Sequence, residues 1–216
     1  FIRFLYALLS IPIIFTIIHT IIRIIRYFYK FPIPEFAVNL IDNPIRRKLQ
    51  PPGETAIRHG IEPGMQVLEI GPGNGTYTIG IAQQAGPNGE VVAIDIQPSV
   101  IKKLQKRIEL EGITNIKPQV ANVYDLPFED SSFDTVTMIA VINEIPDIPQ
   151  AFREFFRGLR PDGRLVTSEI FTDPDYPLEQ NLIRVIEAGN FQLIKRAGNF
   201  FYYTLIFEKD QKNPIS

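Results

Sequence analysis

From Gly64 onward, short apolar runs alternate with amphipathic stretches. Strands are expected at 66–70, 91–95, 116–121, 133–139, 163–169, 191–197 and 200–208, and helices at 76–85, 98–111, 148–159 and 178–189. Crossover helices cover both faces of parallel strands, so the pattern predicts an α/β fold: a mostly parallel sheet with helices on both faces. Gly198-Asn199 joins the last two strands by a tight turn, which makes them an antiparallel hairpin.

The first sixty residues follow a different pattern. Phe4 to Ile22 is nineteen residues without Lys, Arg, Asp or Glu, fourteen of them apolar. As a helix it would be about 28 Å long, close to the ~30 Å hydrocarbon core of a bilayer. Arg23, Arg26 and Lys30 follow and only Arg3 precedes, so a spanning helix would leave the C-terminal domain in the cytoplasm. An interfacial arrangement is the alternative, because Thr16, His19, Thr20, Arg23 and Lys30 fall on one helical stripe. A cleaved signal peptide fits poorly, since no small-x-small site follows the run. The expected organisation is a membrane-associated helix over 1–30, a connector over 31–63, a folded domain over 64–209 and a tail over 210–216. The connector holds six prolines, each of which removes a donor and biases its predecessor away from helix. Its basic cluster Arg46-Arg-Lys48 reads as a solvated face or as a contact for anionic lipid head groups.

Composition narrows the chemistry. The chain has 216 residues, 45% hydrophobic and 21% charged, as expected of a globular protein. It has no cysteine, which excludes disulfides, thiolate metal sites and cysteine nucleophiles. Two histidines, His19 and His59, are too few for a histidine-rich metal site, and no metal is expected. Residues 1–50 carry seven Lys/Arg against two Asp/Glu, whereas the whole chain is −2, so the folded part is acidic. A nucleic-acid binder would place its basic face on the folded domain, so no nucleic-acid partner is expected. The basic arm suits a membrane surface instead.

The candidate chemistry lies in Val67-Leu-Glu-Ile-Gly-Pro-Gly-Asn-Gly75 and, twenty residues beyond Gly75, in Asp95 at the end of a second apolar run. Glycines at a strand-to-helix turn let a ligand approach the backbone, and an acidic residue at that distance suits ribose hydroxyls. A dinucleotide fingerprint from Gly71 would need glycine at position 76, where the chain has Thr76. Glu69, two residues before Gly71, suits a cationic ligand end rather than a pyrophosphate.

On these residues the chain resembles the class I S-adenosylmethionine-dependent methyltransferases. The resemblance covers about residues 54–209 and implies a seven-stranded Rossmann-like sheet with the last strand antiparallel. Two further segments carry it: Ala121-Asn-Val-Tyr-Asp-Leu-Pro-Phe-Glu-Asp-Ser-Ser-Phe-Asp134, and the turn Leu159-Arg-Pro-Asp-Gly-Arg-Leu165. The first usually opens with an acidic residue near the adenine where this chain has Asn122, whose amide oxygen can still accept from an exocyclic amine. Asp134 reads as structural. The implied cofactor contacts are Glu69, Gly71, Gly73, Gly75, Asp95, Ile96, Asn122 and Val123.

Ile142-Asn-Glu-Ile-Pro-Asp147 follows the fourth strand, at the carboxyl end of the sheet where ligands gather. Asn143 and Glu144 are the candidates for orienting a methyl acceptor; alternatively they cap the helix near Ile148. Ile145 stands where amino methyltransferases of nucleic acids require proline. Further candidate bases are Glu169, Tyr176 and Tyr202, whereas His59 reads as capping or packing its short helix. The aromatic run Phe200-Phe-Tyr-Tyr203 reads as hairpin packing or as the border of a route for a lipophilic acceptor.

The domain also resembles the ubiquinone/menaquinone-biosynthesis methyltransferases and bacterial phospholipid N-methyltransferases. That resemblance implies a membrane-resident acceptor, either a quinone-type ring or a phospholipid head group. The alternative is a non-catalytic accessory subunit that keeps the fold and docks on a membrane-protein partner.

Overall fold

The computed structural model describes residues 44–173 and 176–210, together with positions 10, 13, 14, 16, 17, 20–25, 28 and 29. Two short helices, α1 (Pro44–Leu49) and α2 (Pro52–Arg58), lead into a sheet. The elements that follow are β1 (Gln66–Ile70), α3 (Thr76–Ala85), β2 (Glu90–Asp95), α4 (Pro98–Glu111), β3 (Ile116–Val120) and β4 (Phe133–Ile139). After them come α5 (Ile148–Gly158), β5 (Leu159–Ile170), α6 (Glu179–Glu187), β6 (Phe191–Gly198) and β7 (Tyr202–Lys209). The seven strands lie in the order β3-β2-β1-β4-β5-β7-β6. All neighbours are parallel except β7, which runs antiparallel to β5 and β6.

The central strands read as continuous apolar runs because both their faces are covered. Val67, Leu68, Val91, Ala93 and Ile94 are fully buried, and the core divides into one cluster on each side of the sheet. The expected elements match closely, with two strand ends that differ by more than one residue. β5 begins at Leu159 rather than 163, because Leu159 already pairs with Phe133 and the register shifts before Thr135 meets Arg164. β7 begins at Tyr202 rather than 200, because Phe200 and Phe201 belong to the turn. Asp134 is structural as expected: it accepts the Gln66 N–H at 2.7 Å and pairs with Arg160.

His59 does more than close α2. Its ring is fully buried, with Nδ1 2.6 Å from Thr137 Oγ1 and Nε2 2.6 Å from Ser168 Oγ, and Ser168 Oγ lies 2.7 Å from Thr204 Oγ1. One side chain thus ties α2 to β4, β5 and β7. Burial, with a smaller contribution from Arg58, lowers its pKa to about 3, so it stays neutral. The unfolded chain takes up this proton near 6.5, so the stability held by His59 is lost as pH falls from 6.5 towards 3. His59→Ala would strand the buried Thr137 hydroxyl, leave Ser168 with Thr204 alone and open a cavity, and is expected to cost about 3 kcal/mol, read as a lowered midpoint in thermal or urea unfolding.

The predicted membrane helix, Phe4–Ile22, falls mainly outside the described residues. Positions 10, 13, 14, 16, 17, 20–25 and 28 are helical, and among the described residues no helix is long and apolar enough to cross a membrane. The connector between residues 30 and 43, the tail beyond 210 and His19 also lie outside them.

Candidate active site

The carboxyl ends of β1, β2 and β4 open onto a cleft with two chambers. The first is lined by Arg46, Glu69, Gly71, Gly73, Tyr77, Asp95, Glu144 and Asp173, among others. The second is mainly apolar, with Ile70, Ile94, Ile96, Val123, Ile145 and Pro146 around Asn122. Gly71, Asp95, Val141 and Glu144 border both.

The loop after β1 is shaped for close approach. Gly71 donates its N–H to Ile94 O at 2.9 Å, holding the loop against β2. Gly71 and Gly75 sit at φ +69° and +83°, and an added Cβ would meet Val141 Cγ2 at 2.7 Å and Leu104 Cδ1 at 2.5 Å. No other residue type fits both the left-handed backbone and the space. Arg107 Nη1 on α4 fixes the far side, donating to Asn74 O at 2.9 Å and Thr76 Oγ1 at 3.1 Å. Gly75 does not itself line the cleft; it turns the chain into α3.

Glu69 is 2% exposed, and its Oε2 has no hydrogen-bond partner. Burial pushes this carboxyl up to about 7, against a smaller opposing effect of the Thr78 hydroxyl. An orphaned, buried carboxylate oxygen facing a cleft is costly unless a cationic donor meets it there. Asp95 ends β2 at the junction of the chambers; its Oδ1 accepts the Gln97 N–H at 2.8 Å, and burial raises its pKa. Asn122 Oδ1 accepts the Tyr124 N–H at 3.0 Å and keeps a second lone pair at the edge of the apolar chamber.

Glu144 faces both chambers from a 3-10 turn over Ile142–Glu144. Asn143 beside it lines neither. The capping alternative fails for both residues: α5 is capped by Asp147, whose Oδ1 accepts the Gln150 N–H at 3.0 Å. Of the further base candidates, none lines the cleft. Glu169 lies buried behind it, its Oε1 accepting from Thr167 Oγ1 at 3.0 Å, with its pKa pushed to about 8 by burial and then by Asp173. The Tyr176 hydroxyl donates to Phe200 O, and the Tyr202 ring lies under Arg58 at 5.2 Å.

Two charged cleft residues were not expected. Asp173, 4% exposed, is held just beyond β5 by its N–H bond to Ile170 O at 2.9 Å. Arg46 is 6% exposed, with its guanidinium 5.3 Å from the Tyr77 ring centroid. This corrects the reading of Arg46-Arg-Lys48 as a solvated or lipid-facing cluster: Arg47 and Lys48 are exposed, but Arg46 turns inward.

Four carboxylates and one guanidinium therefore line the first chamber among the described residues. The acidic chamber suits a cationic amino-acid end, the apolar one a flat ring, and Asp95 the hydroxyls between them. Residues 61–208 match a methyltransferase domain family. The chain belongs to that family.

The methyltransferase is 32% identical over 140 residues to the ubiquinone/menaquinone biosynthesis C-methyltransferase UbiE of Proteus mirabilis, covering 64% of this chain and 54% of that protein. It is 36% identical over 140 residues to UbiE of Ectopseudomonas mendocina, covering 64% and 53%. The chain thus spans about half the length of these relatives. Its fold matches a SAM-dependent methyltransferase from Aquifex aeolicus with a TM-score of 0.76 at 19% identity, covering 82% of this chain and 98% of that one. S-adenosylmethionine is the cofactor of this methyltransferase family.

Proposed function

We propose that the protein is a membrane-attached, S-adenosylmethionine-dependent methyltransferase that acts on a lipophilic acceptor, with a quinone-type ring as the first choice. The observation that carries membrane attachment is the orientation of the N-terminal helical residues. Arg23 Nη2 donates to Tyr176 O at 3.1 Å, which fastens the helix to the domain. Ile13, Ile14, Ile17, Ile21, Ile24, Ile25 and Phe28 are 47–71% exposed. At 3.6 residues per turn they fall within an arc of about 120°. An apolar stripe turned away from the protein suits a bilayer far better than water. The basic residues after the apolar run support a cytoplasmic orientation of the domain. The biosynthetic role named for the relatives supports the quinone-type acceptor.

When bound, the cofactor supplies a methyl group on a sulfonium. The chain's own residues hold it and exclude water. Glu69 takes the ammonium, and Asp95 the ribose hydroxyls. Ile96 and Val123 flank the adenine, Asn122 sits at its edge, and the Gly71–Gly75 backbone cradles the methionine part. Glu144 stands where the chambers meet and takes the proton that the acceptor must lose, while Asn143 supports the turn that presents it. Arg46 and Asp173 close the acceptor side. Methyl transfer needs little more than near-attack positioning in a dry site.

The acceptor is tested by incubating the protein and cofactor with a bacterial lipid extract and separating the products by mass spectrometry. The expected product is a quinone-type ring carrying one more methyl group. Methylated phospholipid amines would replace the first choice with the second.

A further inference from the structure

The turn between β6 and β7 carries an exposed feature that the hairpin itself does not need. Phe200 and Phe201 are each 59% exposed, and Phe171 beside them 41%. They form one cluster: Phe171 lies 5.6 Å from Phe200 and 6.1 Å from Phe201 between ring centroids, and 5.7 Å from Tyr176. The turn presents them rigidly. Asn199 Oδ1 accepts the Phe201 N–H at 2.9 Å, Asn199 N–H bonds Tyr202 O at 2.7 Å, and Phe171 N–H bonds Phe201 O at 2.8 Å. Three large rings fixed outward on an ordered turn are unfavourable in water and favourable at a membrane interface, where aromatic rings concentrate.

Their position links two parts of the molecule. Arg23 of the N-terminal helical residues bonds the carbonyl of Tyr176, whose ring packs on Phe171 and Phe200, so the helix and the patch are neighbours. On the other side, the Tyr176 N–H bonds Asp173 O at 3.1 Å, and Asp173 lines the cleft. The patch therefore stands between the helix and the acceptor end of the cleft.

We infer that Phe171, Phe200 and Phe201 are a second membrane contact, which inserts into the interface of an anionic bilayer and turns the mouth of the cleft towards the lipid. The occupant follows from the nearness of the helix that carries the exposed apolar stripe and from the basic character of residues 1–50, seven Lys/Arg against two Asp/Glu. The inference rests on the membrane-attached reading above. A single helix would leave the domain free to swivel; a second contact about the cleft fixes its orientation and lets a lipophilic acceptor enter without crossing water.

The chain has no tryptophan, so one introduced residue is a clean reporter. Phe200→Trp and, independently, Phe201→Trp are placed at the patch, and Leu110→Trp on α4, at the opposite edge of the sheet and 88% exposed, serves as the control. The full chain is mixed with phosphatidylcholine–phosphatidylglycerol vesicles, with and without brominated acyl chains, and retained binding of S-adenosylmethionine certifies each variant. The expected result is co-sedimentation of all three, with blue-shifted and bromine-quenched emission from the two patch reporters only. Co-sedimentation with water-like, unquenched emission from both patch reporters overturns the second contact while leaving attachment intact. Failure of the wild-type chain to co-sediment overturns membrane attachment itself, and the second contact with it.

Discussion

Asp95→Ala is expected to weaken S-adenosylmethionine binding by about a hundredfold or more, with little change in fold stability. A carboxylate that accepts from the ribose hydroxyls makes charge-assisted hydrogen bonds worth about 1.5–3 kcal/mol each, and two of them amount to roughly two orders of magnitude in affinity. The side chain is well placed for this, since it borders both chambers while its Oδ1 is held by the Gln97 N–H at 2.8 Å. Within the fold the carboxylate serves only the local turn after β2, so thermal unfolding should change little. Calorimetric titration of the cofactor into wild type and variant reads the effect directly. Asp95→Asn should fall between them.

Glu69→Gln should separate binding from stability, with opposite signs. In the free protein burial lifts the Glu69 carboxyl from its ordinary 4.5 to about 7. A folded-state value above the unfolded one means that ionisation opposes folding, so this contribution to stability is intact below 4.5 and is lost as pH rises through 7. Above pH 8 the glutamine variant should therefore be the more stable of the two cofactor-free proteins by about 3 kcal/mol, while near pH 5 the difference should shrink to about 1 kcal/mol. Binding runs the other way, because the cationic end of the ligand needs the ionised carboxylate. Wild-type affinity should fall about tenfold for each pH unit below 7, and the variant's should be weak and flat. Titrations and thermal scans across pH 5–9 check both halves.

Much of this fold was legible in the sequence because its signals are local. The parallel strands are continuous apolar runs, and Gly71, Gly75 and Gly198 stand at positive φ, where a side chain is strained. The hairpin turn and the Glu69–Gly75 loop followed from residue type and spacing alone, as did the place of Asp95. The features that were not legible depend on contacts far apart in the chain. Arg46 looks like its neighbours Arg47 and Lys48, and only the seating of α1 against Tyr77 turns it inward. Asp173 is one carboxylate in a turn with no motif around it, and it enters the cleft because β5 ends beside β4. Asn143 and Glu144 were the candidate caps for α5; the 3-10 turn spends Glu144 on the cleft, and the cap is Asp147, which the sequence reading did not name. The helix that carries the apolar stripe is fastened by Arg23 meeting Tyr176, 153 residues away. Helical periodicity defines such a stripe, but it does not say which side meets the protein.

A cofactor cleft beside the proposed membrane contact makes one measurement decisive. The full chain is incubated with membranes and S-adenosylmethionine labelled on its methyl group, and the label is counted in the lipid extract and in the soluble protein fraction, for wild type and for Asp95→Ala. Label should enter the lipid extract with wild type and stay near background with the variant. Label confined to soluble protein, or equal incorporation by wild type and Asp95→Ala, would contradict a membrane-directed methyltransferase built on this cleft.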